Sequence, residues 1–323
     1  MYRSPVQDQN HCKTRPIGAF GKVGEQHGEI MNIENFVEFL KLSGRKTIRS
    51  ESGYWYDAGG GVYLSIPHHE TRNPTAGELQ ELFRKHRILG IKYSTNPGTR
   101  GKPGGVYILR DKSYDLLSLP RKTRAAVRQG LKNCSVREVG FDYLNEHGLP
   151  LNLDTLKRQG RDDPLFSRPD RWEQFCNAGR QVEGASAWGA FVDDQLAAYL
   201  MTFIVNECFW ILHSRCRTEL MPLHPNHALQ YTVIKEMISR PEIEVICGGN
   251  VAILDLKGLR SFKKRMGYEV MPVSLVVFLH PLLNALLLGK AGEGLLRIMN
   301  YLAGHNDKLK RITAIVDMAK QSR

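Results

Sequence analysis

Between Trp188 and Leu279 the spacing of apolar residues changes period several times, and the changes mark out elements. Three alternating or continuous apolar runs, Trp188–Val192, Leu196–Val205 and Cys208–His213, read as strands in close succession. A turn rich in proline and histidine, Met221–His227, leads into an apolar helix over Ala228–Ile238. A strand over Ile243–Cys247, a turn at Gly248–Asn250, a basic helix running out at Phe262–Tyr268 and a last strand over Val273–Leu279 complete the series. Strands in a row, then helix, strand, helix, strand, predicts an α/β fold rather than a bundle or a sandwich.

The earlier chain carries a similar alternation. Ile33, Phe36, Val37 and Leu40 mark one face of a helix over Ile33–Leu42. Strands are predicted at Thr47–Arg49, Tyr54–Tyr56 and Val62–Ile66, the last two parted by a Gly59–Gly61 turn. A helix over Gly77–His86 and a strand over Leu89–Ser94 follow, then a loop over Asn96–Gly105 and a strand over Val106–Leu109. Ser118 is suited to cap a helix with Pro120 in its first turn. On that helix Arg121, Arg124, Arg128 and Lys132 share one face, opposite Thr123, Ala126, Val127 and Leu131. The stretch Phe141–Ala185 reads as polar helix broken at Pro164 and Pro169. These patterns divide the chain into a tail (1–29), a first lobe (30–140), a helical connector (141–185), a second lobe (186–280) and C-terminal amphipathic helices (281–323).

Composition narrows the class. A chain of 323 residues with 42% hydrophobic and 24% charged residues has the make-up of an ordinary globular protein with room for two lobes. Its net charge of +12 implies attraction to anionic partners. Six scattered cysteines with no C-x-x-C pair fit reduced thiols and a cytoplasmic location. The segment Val270–Gly289 has no charged residue, but Pro272, His280, Pro281 and Asn284 interrupt it. A strand, a proline turn and a short helix over Leu282–Leu288 account for it without a transmembrane span, leaving peripheral membrane contact open.

Chemistry concentrates late in the chain. In the basic helix Leu259, Phe262 and Met266 form an apolar stripe, and Lys263 falls on the same side. An ammonium beside a buried stripe either snorkels to water or serves a purpose. Asn226 is a good N-cap for the helix after it, and a helix start receives phosphate through free amides. His213, Cys216, His224 and His227 suggest a metal set, but their spacing matches no standard finger and no metal is expected. Glu207 and His213 lie where a general base would be useful, and Tyr231 and Tyr268 have hydroxyls to donate. The Arg124 and Arg128 stripe is either a solvated face or a grip on phosphates.

Several motifs, taken in order, carry a resemblance. They are Asp115–Arg128, Phe209-Trp-Ile-Leu-His-Ser214, Pro225-Asn-His-Ala-Leu229, Gly248-Gly-Asn250, Gly258-Leu-Arg-Ser-Phe-Lys263 and Met266-Gly-Tyr268. The chain resembles the GNAT fold of the acyl-CoA N-acyltransferase superfamily. Within it, the likeness is to the two-lobed branch of Fem-type aminoacyl transferases and polysaccharide-associated, BioF2-like acetyltransferases. That resemblance implies two GNAT-like lobes with mixed sheets flanked by helices. It implies an N-acyltransferase using acyl-CoA on an amine acceptor, an amino sugar or a cell-envelope or exopolysaccharide precursor. The lysine of the matching Gly-Leu-x-x-Phe-Lys pattern, Lys263, would steady the acyl oxyanion, with Glu207, His213 and Tyr268 as further catalytic candidates. His224, Asn226, His227, Ala228 and Asn250 would hold the cofactor, and Phe262, Tyr231, Arg124 and Arg128 the substrate. The chain departs from the pattern at the cofactor turn, which lacks the usual glycine-rich loop and has Pro225 in place of an amide donor. Two alternatives follow: an aminoacyl-tRNA donor in the Fem manner, and a non-catalytic module gripping an anionic polymer. DNA is not an expected partner, and no RNA-binding motif with stacking aromatics accompanies the basic stripe.

Overall fold

The computed structural model describes residues 33–251, 257–288 and 307–322. The helices there are α1 (Ile33–Leu42), α2 (Ala76–Lys85), α3 (Arg121–Asn133), α4 (Phe141–Arg158), α5 (Pro164–Ser167) and α6 (Pro169–Gln181), followed by α7 (Pro225–Ile238), α8 (Lys257–Arg265), α9 (Pro281–Leu288) and α10 (Asp307–Gln321). The strands are β1 (Thr47–Ser50), β2 (Gly53–Asp57), β3 (Val62–Ile66), β4 (Gly90–Thr95), β5 (Lys102–Leu109) and β6 (Ser135–Val139), then β7 (Ala185–Val192), β8 (Gln195–Val205), β9 (Cys208–Cys216), β10 (Val245–Asn250) and β11 (Glu269–Leu279).

All of these strands join one mixed sheet in the order β1-β2-β3-β4-β11-β5-β10-β9-β8-β7-β6. Apart from the edge strand β6, the order mirrors itself about the β11–β5 pair. In each half two antiparallel pairings lead to one parallel pairing, β3 with β4 and β9 with β10. Each half then lends its last strand to the other, β5 to β10 and β11 to β4. The fold is thus a mixed α/β sheet flanked by helices, as the element order predicts.

Strand alternation sends side chains to two faces. On one, α1, α4, α6 and α10 cover Val106, Ile108, Tyr199, Phe203, Trp210 and Val277. On the other, α3, α7 and α8 cover Leu109, Leu200, Phe209 and Ile246, while α2 covers Trp55, Ile91 and Tyr93. β8 is buried on both faces, which explains its nearly unbroken apolar run.

Several expectations need correction. Lys102–Gly105 is strand rather than loop, because β11 offers it a complete pairing partner. Gly248–Asn250 continues β10, with a register shift between Cys247 and Asn250, instead of forming a separate turn. Ser118 does not cap α3. Its hydroxyl donates to the Asp115 carbonyl, and Pro120 stands at the cap without a side-chain bond. Leu131 is 40% exposed, since Thr123, Val127 and Gly130 form the buried face instead. The stretch 141–185 supplies core, with Leu144, Leu151, Trp172 and Phe175 all buried. The edge strand β6 went unpredicted because its Ser-Val-Arg-Glu-Val is polar at an open sheet edge. The tail 1–29 and the apolar positions Leu295–Leu302 lie outside the described residues.

Candidate functional site

β9 and β10 pair over three positions only, Cys208 with Val245, Phe209 with Ile246 and Trp210 with Cys247. Beyond Trp210, β9 stays with β8, and an extra residue bulges between Ile211 and His213. Beyond Cys247, β10 stays with β5. The two strands therefore part, and residues on both sides, Leu212–Arg215 and Gly248–Val251, are only half-buried. The opening is a wedge in the middle of the sheet.

Helix α8 delivers a lysine to it. Phe262, Lys263 and Met266 turn inward, while Leu259, expected on the buried stripe, is 44% exposed. Lys263 is 5% exposed and its Nζ sits 4.4 Å from the centre of the Tyr268 ring. The local sequence explains the pairing. Gly267 takes φ +90°, a left-handed turn that ends the helix, and the Tyr268 amide reaches back to the Lys263 carbonyl at 3.1 Å. The tyrosine is thereby folded beneath the lysine it follows. Gly248 supplies the space, since a Cβ there would lie 2.7 Å from Tyr268 Cε1 and 3.1 Å from Lys263 Nζ.

Burial pulls the Lys263 ammonium down to about 8, opposed by the Cys247 sulfur. Among the described residues no carboxylate pairs with it. Cys247 is held low chiefly by the hydrogen bond from Cys208, whose own thiol burial pushes well up. Burial likewise raises the Tyr268 hydroxyl, which has no hydrogen-bond partner among the described residues. The Asn226 Oδ1, Gln230 Oε1 and Asn250 Oδ1 atoms are also buried without a partner among the described residues. These groups stand on the start of α7 and the end of β10, the elements that flank the wedge.

The start of α7 lies against α8. The His227 ring meets Phe262 edge-on at 5.2 Å and His224 at the same distance. Burial lowers His227 to about 4, helped by His224 and Arg265, so its imidazole is neutral at pH 7. The helix begins at Pro225, and the N-cap is His224 in the left-handed region (φ 60°), not Asn226. Pro225 has no amide to offer. The amides of His227 and Ala228 both donate to the His224 carbonyl. α3 crosses this turn closely, and a Cβ on Gly130 would come within 2.6 Å of the His224 carbonyl oxygen.

The structure thus brings together Lys263, Tyr268, Phe262, His227 and His224. It does not bring Glu207 or His213 to them. Glu207 is exposed in the turn before β9, and its carbonyl receives the amides of Glu244 and Val245 at the far end of the paired segment. His213 packs on the opposite face against Phe166 (4.4 Å) and Phe175 (5.5 Å), with its imidazole kept neutral by burial and by Arg215 and Arg45. Tyr231 is buried against Tyr114 at 5.9 Å. Arg128 is exposed and Arg124 half-buried on α3. His213, Cys216, His224 and His227 do not converge, and no group of three or more candidate metal ligands is gathered among the described residues. Sequence reasoning placed Gly248 only in a motif and a turn and gave Cys247 no role at the site, though a Gly-Gly pair at the end of a strand was a signal of close approach.

The fold has counterparts among solved structures. It is similar to the structure of FemX, with a TM-score of 0.54 at 13% identity, covering 80% of this chain and 94% of that one. L-PGS from Bacillus licheniformis superposes with a TM-score of 0.55 at 12% identity, covering 93% of this chain and 100% of that one. The C-terminal domain of a putative lysylphosphatidylglycerol synthetase from Agrobacterium fabrum matches with a TM-score of 0.53 at 12% identity, covering 80% of this chain and 93% of that domain. No family model matches the sequence. No curated protein matches it either.

Proposed function

We propose that the chain transfers an acyl group from an activated donor to an amine, with the reacting carbonyl seated in the wedge between β9 and β10. The observation that carries this reading is the buried Lys263 ammonium over the Tyr268 ring, at the point where the strands part. In a water-poor site a fixed positive charge stabilises an oxyanion far better than water does, and removing one such group commonly costs about 3 kcal/mol of barrier. His227, neutral and edge-on to Phe262, is the better-placed proton acceptor than Glu207 or His213. The Tyr268 hydroxyl, without a partner among the described residues, is the donor for the leaving group. Among GNAT-fold proteins the natural donor is acyl-CoA. The acceptor we propose is an amino sugar or another amine-bearing cell-envelope or exopolysaccharide precursor, handled in the cytoplasm.

One observation favours a second reading. With Pro225 lacking an amide and those of His227 and Ala228 turned inward, the start of α7 has few donors left for a pyrophosphate. An aminoacyl-tRNA donor does not need that cradle, and the exposed cations of α3 are suited to its backbone. The similarity in fold to FemX and to L-PGS agrees with this variant.

A thermal-shift comparison of acyl-CoAs with charged tRNA separates the two. A ligand at about a hundredfold its Kd adds about 2.7 kcal/mol to the native state. Stabilisation by acyl-CoA supports the first reading. Stabilisation by charged tRNA that declines steeply with salt supports the second. If neither shifts the melt and an anionic polymer does, the chain is a binding module.

A further inference from the structure

Helix α9 (Pro281–Leu288) follows β11 directly and lays its half-buried Leu283 and Leu287 inward, packing against β11 and α10. Its outer face is Pro281, Leu282, Ala285 and Leu286, all exposed, with Leu282 at 75% and Leu286 at 57%. Nothing polar stands on that face, whereas a helix on a globular surface ordinarily turns charge outward. The apolar surface extends beyond the helix. The His280 amide donates to the Leu89 carbonyl at 2.9 Å, the His280 ring meets Phe83 edge-on at 5.8 Å, and Leu89 is itself 47% exposed. Beside Leu89, the end of α2 and the residues after it present Arg84, Lys85, His86 and Arg87, all exposed. Glu81, paired with Lys85, is the acidic side chain that accompanies them.

We propose that this face docks on a lipid bilayer containing anionic headgroups, with Leu282, Leu286 and Leu89 entering the interface and Arg84, Lys85 and Arg87 meeting the phosphates. Charge identifies the occupant. An uncharged apolar face rimmed by cations, on a chain of net charge +12, is complementary to an anionic membrane surface. A second copy of this chain would bring the same cations against one another. Eight residues of helix measure about 12 Å, against a hydrocarbon core of about 30 Å, so the helix lies in the interface and does not cross. No described helix is long and apolar enough to span. The inference is independent of the acyl-transfer reading, because none of its residues belongs to the wedge.

Sedimentation of the full chain with vesicles tests it, comparing pure phosphatidylcholine with an equimolar mixture of phosphatidylcholine and phosphatidylglycerol. The mixed vesicles are expected to carry the protein down and the neutral ones to leave it in solution. The double substitution Leu282→Glu and Leu286→Glu, at exposed positions, should leave the melt unchanged and reduce partitioning at least tenfold. Arg84→Glu with Arg87→Glu should reduce it by roughly fivefold per cation lost and make the remainder less sensitive to salt. Equal binding to both vesicle types, no binding to either, or binding unmoved by the leucine substitutions overturns the proposal. A concentration-dependent dimer abolished by Leu282→Glu and Leu286→Glu also overturns it, in favour of self-association.

Discussion

The two halves of the sheet share a topology and differ in what fills their wedges. In the first half β3 and β4 pair in parallel at three positions, ending with Leu64 opposite Lys92. In the second half β9 and β10 do the same, ending with Trp210 opposite Cys247. The next residue on the α2 or α7 face is Tyr93 in one case and Gly248 in the other. Tyr93 is 2% exposed, stacked on Phe278 at 6.4 Å and edge-on to Trp55 at 6.0 Å, so its half is closed by its own side chains. Gly248 leaves room, and Lys263 with Tyr268 occupies it. The source of the lysine differs too. After β4 the chain goes straight through a short turn into β5, whereas after β10 it builds α8 before β11. A duplicated framework therefore holds one packed wedge and one chemically equipped one, and the difference turns on a single side-chain position and one added helix.

Substitutions on the packed side bring the largest expected change in stability. Tyr93→Ala removes a buried ring and should cost about 3–5 kcal/mol in denaturant unfolding while leaving the transfer rate per folded molecule unchanged. A lost rate in protein shown to be folded would make the first half part of the active site. Gly248→Ala should cost about 1–3 kcal/mol, since the Tyr268 ring has to move away from the strand, and should also slow transfer by displacing Lys263. Unchanged kinetics there would mean the lysine does not act from the position it holds.

The titration of Lys263 provides a subtler test. Its folded value, about 8, lies below the 10.5 of an unconstrained lysine. Between those values the unfolded chain holds the extra proton, so stability rises with pH across about 8 to 10.5, and the cost of burying the charge is fully present below about 8. That cost is about 3 kcal/mol. Turnover should move the opposite way, falling as pH climbs through about 8 and the ammonium is lost. Melting curves and rates on the same pH series check both signs, and a parallel rise of the two would contradict the oxyanion role. The smallest effect is expected from His213→Ala, whose ring packs on the face away from the wedge. It should change the rate per folded molecule by less than about threefold, whereas His227→Ala should slow transfer by about a hundredfold.

Much of this was legible in the chain, for definite reasons. Apolar periodicity gave α1, α2, β3 and β8 nearly to the residue, because each buries a regular face. The Gly-Leu-x-x-Phe-Lys and Met-Gly-Tyr patterns led to Lys263 and Tyr268, because their proximity is fixed locally by a helix end. Long-range pairing was not legible. Lys102–Gly105 looked like loop because its partner, β11, lies more than 160 residues away in sequence, as the pairing of Lys102 with Leu275 makes plain. Periodicity also could not tell that His213 would face α6 and Lys263 the other side of the sheet, since a bulge at Leu212 resets the alternation of β9.

The comparison of halves reduces to two lysines, Lys263 buried and Lys92 half-buried. Lys92 on β4 is also lowered to about 8 by burial, but it lies on the opposite face of the sheet, near His68. Acyl transfer by Lys263→Met and Lys92→Met, measured side by side in single turnover with the donor that the thermal-shift screen identifies, tests the central claim most directly. The account predicts that Lys263→Met loses transfer by a factor of about a hundred or more while melting higher than the parent at pH 7, and that Lys92→Met stays within about threefold of the parent rate. Equal rates in the two variants, whether both are retained or both lost, would contradict it.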